Sequence, residues 1–319
     1  MSREIPTAAR EILSGDRRAL GKLISAVEDR DPGATPVLRA LYPKSGRAQI
    51  IGLTGPLGVG KSSLVNTLIA HLRAQGRSVG VVAVDPSSPF SGGSVLGDRI
   101  RLDRRPGDPG VFIRSMASRG HAGGVAATTR EVARLLDAFG MDVVLVETVG
   151  SGQVDVEIRS IASTSVVVVV PHLGDEVQTM KAGLFEIADV FCVNKADLPG
   201  ADSAARNLTE LVATGADREG WRAPVLTTST VTPSGVAELW AAIEAHEKFL
   251  DADGRRAVGD RRRAREELIG LVQERVALDL AEALERKDAV GALLDDVVAR
   301  RLDPHDAAGR LVRRLAKES

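Results

Sequence analysis

Residues 49–53, QIIGL, form an apolar run that continues through Thr54 into GPLGVGKS. Gly55, Gly60, Lys61 and Ser62 thus fall at the spacing Gly-x-x-x-x-Gly-Lys-Ser, just ahead of the helical pattern SLVNTLIAHLRAQ. No other stretch narrows the fold so far. Glycines let the backbone turn until successive N–H groups face one point, and the start of the next helix adds its positive end. A strand, such a loop and a helix, in that order, cradle phosphate. Gly55, Pro56, Leu57, Gly58, Val59, Gly60, Lys61, Ser62 and Ser63 are therefore the candidate phosphate-binding set. Lys61 is expected to reach the β- and γ-phosphates and the Ser62 hydroxyl to ligate Mg2+.

The surrounding pattern agrees with that loop. Between residue 49 and about residue 228, short β-branched runs alternate with longer helical patterns: QIIGL, SVGVVAV, GVFI, DVVLVE, SVVVVVP, ADVFCVN and APVLTT. Several are apolar without alternation, as strands covered on both faces should be. The expected fold class is α/β, a mostly parallel doubly wound sheet. Ahead of it, Leu20, Leu23, Ile24 and Val27 predict one amphipathic helix over about residues 8–28, ended by DPGATP. After Phe249, the polar, Arg-dense DADGRRAVGDRRRAREE reads as a linker or the start of a helix. Apolar stripes follow at Leu268, Leu271, Val272, Val276 and Leu280, and at Val290, Leu293, Leu294, Val297, Val298 and Leu302. We therefore divide the chain into an N-terminal helical extension (1–45), a P-loop domain (46–250) and a C-terminal helical region (251–319). The C-terminal stripes need a surface to bury against, either the α/β domain or a second copy of the chain.

Charge and cysteine usage remove other classes. Lys and Arg total 42 against 43 Asp and Glu, so no broad basic footprint for nucleic acid is expected. The lone Cys192 lies in the apolar run ADVFCVN and reads as a buried strand thiol. The first residues, MSREIPTAAR, lack an apolar core, and no stretch approaches the ~18 apolar residues of a membrane span, so a cytoplasmic protein is expected.

The base is chosen elsewhere. CVNKAD, residues 192–197, places Asn194, Lys195 and Asp197 after an apolar strand. A carboxylate at Asp197 can accept from two adjacent N–H donors of guanine, whereas adenine presents an acceptor where guanine has N1–H. The Lys195 stem can lie on the base, and Asn194 can tie this loop to the phosphate loop. GTP or GDP is thus expected rather than ATP. DVVLVETVGSGQ puts Glu147 at a strand end, suited to the metal's outer shell, and Gly150 where its amide can meet a γ-phosphate. Ser62, Asp85, Asp98 and Glu147 form a candidate oxygen set for Mg2+.

The succession GPLGVGKSSL, VDPSSPFSGGSVLGDRIR, ETVGSGQ, PHLGDEVQTMKAG, VNKAD and TSTVTPSGVAELW resembles the MeaB and ArgK group of G-protein chaperones of adenosylcobalamin-dependent acyl-CoA mutases. DPSSPFSGGSVLGDR is its most specific part. The resemblance implies a SIMIBI-class P-loop GTPase that gates cobalamin delivery to a mutase and protects or rescues that enzyme. It further implies a homodimer through the C-terminal helices and an adenosyltransferase as an additional partner. Ser229, Thr230 and Val231 would contact guanine in place of the family's Ser-Ala-Leu, and Asp175, Glu176 and Lys181 would couple a switch to the mutase. Two departures stand out: GPLGVGKSS for the commoner GVPGVGKST, and Ser151 in ETVGSGQ where Val is usual.

No residue is an obvious base for hydrolysis. Lys61 would neutralise charge, Gln153 would orient the attacking water, and Asp98, acting through the metal's water shell, is its rival. Two other classes compete with the mutase chaperone. A kinase or ATPase associated with basic amino-acid transport needs ATP and an acceptor site, against which NKAD speaks. A nickel-insertion GTPase needs Cys and His clustered near the N-terminus, and Cys192 is far along the chain.

Overall fold

The computed structural model describes residues 5–86, 107–118, 124–148, 158–171, 182–214, 220–284 and 291–318. One sheet holds β1 (Gln49–Thr54), β2 (Val79–Pro86), β3 (Val111–Ser118), β4 (Val143–Thr148), β5 (Thr164–Val169), β6 (Val190–Val193) and β7 (Val225–Thr227). Its order is β3-β2-β4-β1-β5-β6-β7, and every described pairing is parallel. β1 is thus paired on both sides, Gln49 opposite Val143 of β4 and Ile51 opposite Thr164 of β5. Each strand matches one of the apolar runs read from the sequence.

The helices are α1 (Thr7–Leu13), α2 (Arg17–Glu28), α3 (Ala34–Leu41), α4 (Lys61–Ala74), α5 (Gly124–Phe139), α6 (Ala182–Ile187), α7 (Ala201–Thr214), α8 (Val236–Asp251), α9 (Arg255–Leu284), α10 (Gly291–Val298) and α11 (Pro304–Glu318). Alternate residues of the central strands feed two cores. Val79, Val81, Val143 and Leu145 pack with Leu64 and Leu68 of α4 and Leu239 and Trp240 of α8. Val82, Val84, Val144 and Val146 pack with Leu20, Ile24 and Leu41 of the N-terminal helices and Val132 and Leu136 of α5. Each such side chain contributes about 1.5–3 kcal/mol when fully buried, which is why the strands carry Val and Ile on both faces.

Two expectations need correction and a third, left between two alternatives, is decided. The single helix over residues 8–28 is two, because Gly15 takes φ +92° and Asp16 caps α2 by accepting from Arg18 N at 2.8 Å and Ala19 N at 3.0 Å. DPGATP does not merely end a helix, since α3 begins inside it at Ala34. For the Arg-dense segment, the structure decides for the start of a helix over a linker: α8 turns at Ala252–Gly254 and α9 then runs from Arg255 through it. α11 corresponds to neither of the two stripes read from the sequence.

The chain divides into two compact units, Met1–Arg263 and Ala264–Ser319. In the first, the buried Asp137 of α5 accepts from the backbone N–H groups of Gly46, Arg47 (3.1 Å) and Ala48 (3.0 Å), and so sets the approach to β1. Glu28 of α2 pairs with Arg114 of β3, and Arg17 donates to the carbonyls of Pro109 (2.9 Å) and Val111 (2.5 Å) at the sheet edge. In the second, Leu268, Val272, Leu278 and Val298 are each more than half exposed. Among the described residues, no helix is long and apolar enough to cross a membrane.

The buried and edge carboxylates make testable demands on stability. Asp137→Ala strands three N–H donors and is expected to lower unfolding free energy by about 2 kcal/mol in urea melts. Asp142 accepts from Ser78 N and Oγ, both at 2.7 Å, and these bonds hold its carboxyl below the usual range. A depressed folded pKa contributes stability that is full above about pH 4 and fades as pH falls through the folded value. Asp142→Asn should therefore flatten the acid limb of a stability-versus-pH curve, by less than about 1 kcal/mol because the site is partly wet.

Candidate functional site

The loop after β1 is shaped by close approaches that exclude side chains. Gly55 takes φ +141°, and a Cβ there would lie 2.1 Å from the carbonyl oxygen of Val168 in β5. Gly60 takes φ +91°, and a Cβ there would lie 2.6 Å from Asn194 Nδ2. Glycine is required at both for steric reasons as well as for its backbone freedom. α4 starts at Lys61, whose buried side chain folds over the loop and donates to Gly55 O at 2.7 Å and Pro56 O at 2.8 Å. Ser62 Oγ donates to Glu147 Oε1 of β4 at 2.7 Å. Beside them, Thr148 Oγ1 donates to Thr54 Oγ1 at 2.9 Å, joining the C-terminal ends of β4 and β1. Val59 is buried, Leu57 is exposed, and the Ser63 carbonyl accepts from Thr67 Oγ1 at 2.9 Å.

The residues after β6 meet this loop directly. Asn194 is fully buried; its Nδ2 donates to Val59 O at 2.9 Å and its Oδ1 accepts from Thr228 Oγ1 at 3.1 Å. Lys195, at φ +60°, donates from Nζ to Gly58 O at 2.9 Å, so its stem bridges the two loops. Asp197 Oδ1 accepts from Ser229 Oγ at 2.5 Å, and Ser229 Oγ in turn accepts from Val231 N at 3.3 Å and Thr232 N at 3.2 Å. Thr230 and the exposed Val231 form the turn between Ser229 and Ser234, which bond to each other through their backbones.

Glu147, the phosphate-loop residues, Asn194, Lys195, Asp197 and the 229–231 turn therefore converge at the C-terminal ends of β1, β4, β6 and β7, where open parallel sheets bind ligands. Asp85 lies near the end of β2, its side chain outside the described residues. Asp98, Gly150, Ser151, Gln153, Asp175, Glu176 and Lys181 also lie outside them. Among the described residues, no group of three His, Cys, Asp or Glu side chains forms a metal site. Ser62 and Glu147 nevertheless supply two close oxygens of the hard type that suits Mg2+.

Thr228 is the residue that the pattern reading missed. It is fully buried between Asn194 and Cys192, whose Sγ lies 3.1 Å from Thr228 Oγ1. By donating to Asn194 Oδ1 it fixes which way the amide faces, and so sends Nδ2 toward Val59. Its place directly before Ser229 at the end of a strand was the available signal. Burial pushes the Cys192 thiol up to about 12, with the Thr228 hydroxyl opposing, so this cysteine is a packed core group.

A central β1 that delivers a phosphate loop into a seven-stranded parallel sheet, with Asn-Lys-x-Asp beside it, defines a P-loop GTPase. The family model described as Methylmalonyl Co-A mutase-associated GTPase MeaB matches residues 20–285, and the chain belongs to that family. It is 46% identical over 308 residues to a Pyrococcus horikoshii protein provisionally named as a GTPase, covering 94% of this chain and 95% of that one. It is 31% identical over 267 residues to the mitochondrial methylmalonic aciduria type A homolog of Mus musculus, covering 82% of this chain and 64% of that one. The crystal structure of a protein named LAO/AO transport system kinase superposes with a TM-score of 0.73 at 28% identity, over 97% of this chain and 96% of that one.

Thr228→Val keeps the shape of the buried site and removes the donor to Asn194. Isothermal titration should show nucleotide affinity falling by about tenfold, with circular dichroism unchanged.

Proposed function

We propose that this GTPase acts as a chaperone of an adenosylcobalamin-dependent acyl-CoA mutase, gating cofactor loading and protecting or reactivating the enzyme. The observation that carries the reading is membership, over residues 20–285, of a family described by its association with methylmalonyl Co-A mutase. In this reading Asp175, Glu176 and Lys181 sense the mutase. The 251–319 region pairs two copies of the chain, and exposed apolar residues such as Leu268 and Val272 supply the surface for it. An adenosyltransferase is a further partner, and the cytoplasm is the compartment.

The site chemistry is positioning and charge neutralisation. Backbone N–H groups of residues 55–63 other than Pro56, which has none, and the start of α4 would receive the phosphates, and Lys61, already folded over the loop, would swing onto the β- and γ-oxygens. Ser62 and Glu147, with Asp85 and Asp98, would hold Mg2+, which supplies charge compensation when bound. Gly150 would meet the γ-phosphate, and Gln153 or Asp98 would orient the attacking water. Asp197 would accept from guanine N1–H and the exocyclic amine while Ser229 Oγ holds its other lone pairs in place. Lys195 would cover the base, and the Thr230 and Val231 amides would edge it.

Likeness to a protein named as a transport system kinase raises a second reading, a kinase associated with basic amino-acid transport. The Asp197 carboxylate fixed by Ser229 disfavours it, because adenine offers an acceptor to that carboxylate. The buried Cys192 thiol is a poor ligand for a transported metal, which speaks against a nickel-insertion role.

Asp197→Asn tests the base assignment. GTP affinity should fall at least about tenfold, while xanthosine triphosphate, whose C2 carbonyl can accept from the new amide, should gain affinity. Copurification with candidate mutases tests the client, followed by mutase reactivation in GTP and adenosylcobalamin. Failure to bind or reactivate any acyl-CoA mutase would sink the chaperone reading.

A further inference from the structure

At the end of the sheet opposite the phosphate loop lies a buried polar cluster that the chemistry above does not use. Its centre is Glu247 in the last turns of α8, a carboxylate only 3% exposed. One oxygen, Oε1, accepts from Ser163 Oγ at 2.5 Å and Thr164 Oγ1 at 2.6 Å at the start of β5. The other, Oε2, accepts from Arg256 Nη2 at 2.9 Å, and the same nitrogen donates to the Glu247 carbonyl at 3.1 Å. Around it, Thr164 Oγ1 lies 2.8 Å from His246 Nδ1, and the Trp221 ring packs 4.9 Å from the imidazole.

Each side of this carboxylate leads somewhere specific. On one side, Ser163 donates from N to Ile50 O of β1 at 2.9 Å, and its Oγ, whose one proton goes to Glu247, lies 3.0 Å from the same carbonyl. Just ahead of Ser163, Ile158 presses on the same strand so closely that a Cβ at Gly52 would lie 2.5 Å from Ile158 Cγ1. Residues 158–164 are therefore seated on β1 within a few residues of Gly55, where the phosphate loop begins. On the other side, Arg256 is in the first turn of α9, just past the corner at Ala252–Gly254.

That corner is strained. Asp253 is a non-glycine residue at φ +52°, a sparsely populated left-handed conformation, followed by Gly254 at φ +73°. Arg256 bonds to both Asp251 and Glu247 across it, while Arg255 pairs with Asp253 at 2.9 Å and lies 4.3 Å from the Phe249 ring centroid. A bend held in a sparsely populated backbone state by side-chain bonds can relax when those bonds are lost.

We infer that Glu247 is a latch linking the phosphate-loop strand to the start of α9, so that the nucleotide bound at one end of the sheet sets whether the 252–256 corner stays fastened. Buried and bonded on both oxygens, Glu247 cannot follow a shift of residues 158–164 without loading or releasing Arg256. Coupling is reciprocal, so a partner that moves the start of α9 changes the relative affinity for GTP and GDP by the same factor. This inference rests on the guanine-nucleotide reading of the site.

Hydrogen exchange of the full chain with GDP and with a non-hydrolysable GTP analogue, read on peptides covering 252–263, tests it alongside titrations of both nucleotides. The unaltered protein should show exchange rates differing by about fivefold between the two states, the low end of a coupling free energy. Arg256→Gln, at a half-exposed position, should erase that difference while the protein still binds nucleotide and melts near the parent temperature. Arg255→Gln, one residue away and without contact to Glu247, should keep it. Nucleotide binding with no exchange difference in the parent overturns the latch and leaves the GTPase reading standing. So does a difference that survives Arg256→Gln, or one that Arg255→Gln removes equally. Failure of the parent to bind either guanine nucleotide overturns the nucleotide reading and the latch with it.

Discussion

The position of β1 governs nearly everything else in the Met1–Arg263 unit. It is bonded along both edges, to β4 and β5, and Ile51 and Leu53 are fully buried. A strand so enclosed cannot shift register without stranding donors on two neighbours, so the loop that leaves it starts from a fixed point. Gly55 against Val168 O and Gly60 against Asn194 Nδ2 then leave that loop one path. The phosphate cradle is rigid because its roots are buried, and its glycines serve contact as much as flexibility.

The two faces of the sheet are covered by different means. One is closed by α4 and α8, whose large groups, Leu64, Leu68 and Trp240, fill the layer. The other needs the N-terminal helices. α2 is fastened by the Asp16 cap, by Arg17 at the sheet edge and by Glu28 with Arg114. Without α1–α3, the outer side of α5, which itself covers Val82, Val144 and Val146, would face water, so the extension completes a core. Its residues are as much a part of the fold as the strands they cover.

The strands were legible because a parallel sheet buried on both faces demands uninterrupted Val, Ile and Leu, and few other structures do. The loop residues were legible because phosphate and guanine constrain spacing tightly. What escaped was of two kinds. The helix boundary at Ser14–Asp16 depends on the Asp16 cap, the start of α3 within DPGATP has no side-chain cap to announce it, and Arg255–Glu267 reads as polar because a helix that is largely solvated needs no apolar stripe. Thr228 and Glu247 escaped because their meaning lies in partners far along the chain: Asn194 for the one, Ser163 and Thr164 for the other. A lone threonine or glutamate carries no periodic signal of such a bond.

Those two residues also show how the ends of the sheet can communicate while its strands stay still. Parallel strands locked by hydrogen bonds and two apolar layers transmit little by sliding, since any slip breaks many bonds at once. Motion must instead pass through the short segments that join strands to helices, where fewer bonds hold each residue. Thr228 and Asn194 join the base side to the phosphate loop at one end, and Ser163, Thr164 and Glu247 join β5 to the α8–α9 corner at the other. Both joints use a buried side chain bonded to more than one partner. Such a group costs more to leave half-bonded than to move with its partners, so a displacement on one side is passed on.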